Sequence, residues 1–135
     1  MTVNSLQNEQ VIQAYQNIAQ EIMAFIAGRS WDEAGAKYEV FGKMISSEWW
    51  CKDGSEISQI GASNIPDEIS DTAQVSIYYL RKHLLELTGD RIWGLTFTLY
   101  PTGKFNIEYD YNKPKDYEET NDVISGDEIN KTFLR

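Results

Sequence analysis

Glu108 and Asp110 stand two residues apart in a segment that alternates polar and apolar side chains. On an extended strand that spacing puts both carboxylates on one face, close enough for general acid and base work or for a divalent cation. The same spacing also serves a plain solvated strand, and the pair meets none of the other conditions for an active site. Cys51 and His83 are each the single residue of their type, so a Cys–His dyad forms only if the fold joins them. His83 has no second His, Cys or acid at ligand spacing and lies beside an apolar helical stripe, the position of a flank residue. Gly103-Lys104 lacks the rest of a phosphate loop and sits between strands, and no Gly-x-Ser-x-Gly elbow occurs. The expectation is a protein that is not an enzyme, with no catalytic residue, no metal and no cofactor.

The element that positions the acid pair is the stretch from Arg91 to Asn112. Trp93, Leu95, Phe97 and Leu99 alternate with Gly94, Thr96, Thr98 and Tyr100, and Pro101-Thr102-Gly103-Lys104 then reverses the chain. On the return, Phe105, Ile107, Tyr109 and Tyr111 oppose Lys104, Asn106, Glu108 and Asp110. This predicts a hairpin with Phe97 and Phe105 both in the core and the two acids on the solvent face.

Before the hairpin, Val11, Tyr15, Ile18, Ile22 and Phe25 recur at spacings of four and three, an amphipathic helix over about Ser5–Ala27 that Gly28 and Arg29 terminate. Trp31 to Ile60 reads as three strands, the second running from Met44 to Cys51 and turning at Lys52-Asp53-Gly54-Ser55. Neighbours on a strand point to opposite faces, so only one of Trp49 and Trp50 can join a given core; the other is exposed, covered by another element or part of a binding surface. Gly61–Ile69, with Asn64-Ile65-Pro66, is expected to be a loop. Ser70 or Asp71 is expected to cap a second helix whose stripe is Ala73, Ile77, Leu80, Leu84 and Leu87, closed by Gly89. Residues 113–135 form an acidic tail, irregular or helical.

The 135 residues suit one domain over residues 1–135 with a single core. A single cysteine excludes an internal disulfide. No signal peptide and no apolar run of bilayer length is readable, so the cytoplasm is the expected compartment. Twenty-one acids against twelve bases leave a net charge of −9, which argues against nucleic-acid or membrane binding. That charge either keeps the protein soluble or suits a basic partner. Eight acids lie between Glu108 and Glu128, against Lys113 and Lys115.

Thr102-Gly103-Lys104-Phe105-Asn106-Ile107-Glu108-Tyr109-Asp110-Tyr111, preceded by Trp93 and the alternating Leu95–Leu99, resembles the YezG-like family of bacterial immunity proteins. Asn64-Ile65-Pro66 and the order of elements are similar as well. The resemblance covers about Tyr15 to Tyr111, and residues 113–135 depart from it. It implies a small antitoxin that neutralises the C-terminal domain of a polymorphic or contact-dependent toxin, often a nuclease. A nuclease attracts phosphate with Lys and Arg, so a clustered acidic surface suits its inhibitor. From charge and exposure, the residues expected to bind toxin are Glu108, Asp110, Asp116, Glu118, Glu119 and Asp122, with Trp49 or Trp50 as an aromatic anchor. The tail acids among them would add electrostatic steering. The expected fold is α+β, a mainly antiparallel sheet of about five strands in the order α-β-β-β-α-β-β with two helices on one face. The alternative function is a small-ligand-binding or regulatory module that uses an aromatic sheet face.

Overall fold

The computed structural model describes residues 3–115, with side chains from Glu9 onward. Helix α1 spans Val3–Ile26, and strands β1 (Glu33–Val40), β2 (Ile45–Asp53) and β3 (Glu56–Ser58) come after it. A 3-10 turn at Ala62–Asn64 leads into helix α2 (Asp67–Thr88), and strands β4 (Gly94–Leu99) and β5 (Phe105–Asp110) complete the fold. The architecture is α+β, a five-stranded sheet in the order β3-β2-β1-β4-β5 in which every neighbouring pair is antiparallel. Hairpins join the strands on each side of β1, and α2 carries the chain across from β3 to β4.

Both helices cover one face of the sheet. Ile18, Ile22 and Phe25 of α1 and Ile77 and Leu80 of α2 pack with Ala34, Ala36, Tyr38 and Val40 of β1 and with Leu95, Phe97 and Leu99 of β4. The α1 stripe and the faces of β1 and β4 thus obey the sequence periodicity. The two chain reversals next to β4 obey their turn chemistry too: Gly89 closes α2 at φ 80°, and Gly103 takes φ 88° in the β4–β5 turn. At the end of α1, the Arg29 guanidinium donates to the carbonyls of Phe25, Ile26 and Ile60, neutralising the helix terminus.

Four local expectations need correction. Helix α2 begins at Asp67, not near Ser70, because Pro66 takes the N-cap position and its carbonyl accepts from the N–H groups of Ile69 and Ser70. Leu87, on the last turn of α2, is 69% exposed, since that turn projects past the sheet. β3 is only three residues long, leaving Ile60 outside it and exposed. Phe105 points to the core side as expected but remains 48% exposed, because β5 is an edge strand. The Phe105 ring stacks on Phe97 at 5.1 Å and meets Tyr15 at 5.6 Å, with no second layer of side chains beyond.

Candidate functional site

The face of the sheet turned away from the helices carries the acid pair. Strand register sets its rows. Glu108 lies opposite Thr96, which lies opposite Lys37, which in turn lies opposite Glu48. In the next row Asp110 pairs with Gly94, Gly94 with Glu39, and Glu39 with Ser46. Asn106, Thr98, Gly35 and Trp50 form a third row, and Glu33 and Lys52 begin a fourth. Directly opposed side chains in such rows sit roughly 5 Å apart. The face therefore gathers five carboxylates, Glu33, Glu39, Glu48, Glu108 and Asp110, against Lys37 and Lys52.

Two outward-facing glycines shape this surface differently. At Gly35 the missing side chain makes room for the Trp50 ring, and a Cβ there would run into that ring and the Phe97 carbonyl. Trp50 is half-buried in this way, with its Nε1 3.4 Å from Glu33 Oε2. At Gly94 no ring covers the gap. A Cβ would lie 2.8 Å from the Tyr38 carbonyl oxygen, and without one the surface dips. The dip has a volume of about 210 Å³ and is bordered by Lys37, Glu39, Thr96, Glu108 and Asp110. A cationic side chain entering it would meet carboxylates on three sides.

The opposite face holds a different kind of acid. Glu21, on α1, is 1% exposed, and its Oε1 accepts from Tyr38 Oη at 2.5 Å and from Trp49 Nε1 at 2.9 Å. Burial raises its carboxyl above the usual range, and hydrogen bonding to Tyr38, Trp49 and Ser70 opposes that shift. Burial together with the nearby Glu21 carboxylate pushes the Tyr38 hydroxyl well above its ordinary value. Trp49 also stacks on Phe25, ring centres 6.2 Å apart. Closed to solvent and to substrate, the cluster is an internal polar tie between helix and sheet.

Of the residues expected to bind a partner, Glu108 and Asp110 share the open face with Trp50. Trp49 does not: it belongs to the helix-covered side. Asp116, Glu118, Glu119 and Asp122 lie outside the described residues. Glu33, Glu39, Glu48 and Gly94 join the face without having been singled out. In β1 the exposed Glu39 sits between the buried Tyr38 and Val40, but nothing in the sequence put β1 beside β4. Among the described residues no group of three or more His, Cys, Asp or Glu is arranged to hold a metal. Cys51 is buried on β2 opposite Ala34, while the His83 ring stacks on Tyr79 of its own helix. The aromatic side of the sheet, which a small-ligand module would use, is the side the helices occupy. No helix among the described residues is long and apolar enough to cross a membrane.

The fold and its bare face thus define an α+β scaffold that presents one charged sheet surface. Comparison with protein-family models and with curated proteins finds no match.

Proposed function

We propose that this protein is an immunity protein that binds and neutralises a basic toxin domain of the nuclease kind, meeting it in the cytoplasm. The observation that carries the reading is the helix-free sheet face, which gathers five carboxylates, three of them (Glu39, Glu108 and Asp110) bordering the open dip at Gly94. A nuclease cleft must present Lys and Arg to phosphate, and a rigid sheet holds opposing carboxylates in register against such a cleft. Neither nucleic acid nor an anionic membrane suits this surface, since both carry its own sign of charge. Inhibition requires no catalytic group, metal or cofactor from this chain; it requires occupancy of the toxin's cationic groove.

The test is titration calorimetry against the C-terminal domain encoded by the adjacent upstream gene. Glu108→Lys with Asp110→Lys is expected to weaken binding by at least ~2 kcal/mol, the scale for breaking close interfacial charge pairs. Circular dichroism should show the fold intact, because both side chains are exposed on an edge strand. Unchanged affinity in this variant would overturn the assignment of the face.

A further inference from the structure

The two edges of the sheet end differently. β3 closes one side with three residues, a short strand of the kind that keeps an edge from templating another chain. β5 closes the other side with six, and among the described residues nothing pairs with its outer flank. The hydrogen bond from Tyr100 N to the Lys104 carbonyl, 2.9 Å long, sets which backbone groups point outward. Bonding residues alternate along an antiparallel pair, so Lys104, Asn106, Glu108 and Asp110 direct their N–H and C=O groups to β4. Phe105, Ile107 and Tyr109 direct theirs away from the sheet, and these donors and acceptors line an open edge.

β5 lacks the usual devices that blunt such an edge. It contains no proline, it pairs with β4 in an unbroken register, and its helix-side residues Phe105, Ile107 and Tyr109 carry no charge. Apolar surface continues beside it. Phe105 is 48% exposed and its ring meets Tyr15 of α1, and Ile12, one turn earlier on that helix, is 54% exposed.

Charge and backbone together select an occupant. A second copy of β5, antiparallel and related by a twofold axis through Ile107, sets Phe105 opposite Tyr109 of the partner subunit. On the helix-free side the same register sets Lys104 opposite Asp110 of the partner subunit, and Asn106 opposite Glu108 of the partner subunit. Opposite charges meet and like charges do not. Moving the axis to Glu108 would place that carboxylate against its own copy. Moving it to Asn106 would place Tyr109 opposite Gly103 of the partner subunit, whose φ of 88° belongs to a turn and cannot continue a ladder. Of these registers, the one through Ile107 satisfies both demands.

We propose that β5 pairs with β5 of a second copy of this chain, centred on Ile107, and joins two five-stranded sheets into one. Twofold symmetry repeats each favourable pair, and the half-exposed Phe105 ring gains cover from Tyr109 of the partner subunit. Association depends on concentration, so the dilute chain keeps the open edge. The pairing does not rest on the immunity reading. It leaves the helix-free face uncovered, and it is tested with no toxin present.

The test is analytical ultracentrifugation and amide hydrogen exchange on the full chain alone. The mass should rise from one chain to two with concentration. Over the same range, exchange at Phe105, Ile107 and Tyr109 should slow by about tenfold or more, while Asn106 and Glu108, already bonded to β4, change little. Lys104→Asp and Asp110→Lys, both exposed changes, should each weaken association by about tenfold, because each sets two like-charge pairs in the dimer. Combined, the two changes restore opposite charges and should restore association, with circular dichroism unchanged throughout. A single-chain mass at every concentration overturns the proposal. Slow exchange at the three outward amides in a monomer also overturns it, assigning the edge to another segment of the same chain. A dimer that leaves these amides unprotected, or that the double swap does not rescue, places the contact elsewhere and overturns it too.

Discussion

Trp49 and Trp50 are adjacent in the chain, yet they belong to opposite sides of the sheet and to opposite kinds of chemistry. Trp49 stacks on Phe25 and donates to the buried Glu21. Trp50 lies over Gly35 in a field of solvent-facing carboxylates. An acid on the Trp49 side is hydrogen-bonded by Tyr38 and Trp49 and shut away from water; acids on the Trp50 side stand in rows with no helix above them. The sheet thus separates acids that tie the fold together from acids available to a partner. The period of two along each strand is what performs the separation.

The largest effect that would sharpen this contrast is in the core. Phe97→Ala should destabilise the protein by about 3–5 kcal/mol in denaturant unfolding, the range for a fully buried aromatic. Phe105→Ala, on the same side but at the open edge, should cost only about 1–2 kcal/mol, because half of that ring is already in water. Equal losses would mean that β5 is covered as fully as β4, and the edge would no longer distinguish the two strands.

Next in size is the buried acid. Glu21→Ala would leave the Tyr38 hydroxyl and the Trp49 N–H without their acceptor, and should cost about 2–4 kcal/mol. Glu21→Gln keeps an acceptor oxygen and removes the charge. Because the folded carboxyl titrates above its ordinary 4.5, the folded state holds this proton where the unfolded state has lost it. Stability contributed by the protonated form is therefore fully present below pH 4.5 and declines as pH rises through the folded value. In the Gln variant that decline should disappear, leaving a flatter profile of unfolding free energy above pH 4.5. A profile identical to that of the native chain would show that Glu21 does not carry the pH dependence.

Periodicity made much of this legible. Phe97, Ile18 and Ile77 could be assigned to the core from spacing alone, and Gly89 and Gly103 from turn chemistry. Edges were not legible: the alternation of Phe105, Ile107 and Tyr109 is as clean as that of β4, and only the order of strands shows that β5 ends the sheet. Glu21 was hidden for a related reason. It occupies a core position of the α1 stripe, but its donors come from Tyr38 and Trp49, whose arrival depends on tertiary packing. Two of the five carboxylates of the acidic face were readable as Glu108 and Asp110. The other three, Glu33, Glu39 and Glu48, required knowing that β1 lies between β2 and β4.

The smallest expected effect concerns Trp50 itself, and it decides between two ways the open face could work. A half-buried ring laid over a glycine retains one exposed surface, and tryptophan is a frequent interface anchor. If Trp50 anchored the complex, Trp50→Ala would cost at least ~2 kcal/mol of affinity, the usual threshold for an interface hot spot. The arrangement here favours charge over that role. Trp50 and the Gly94 dip lie on different strands and in different rows, so a side chain seated among Glu39, Glu108 and Asp110 does not need the ring. Trp50→Ala should therefore lower toxin affinity by less than about 1 kcal/mol, and folding stability by about as much, as for a partly exposed surface change. Measured by calorimetry beside Glu108→Lys with Asp110→Lys, the two variants should separate clearly. A larger loss for Trp50→Ala than for the charge reversal would move the centre of the interface from the β4–β5 side of the sheet to β2.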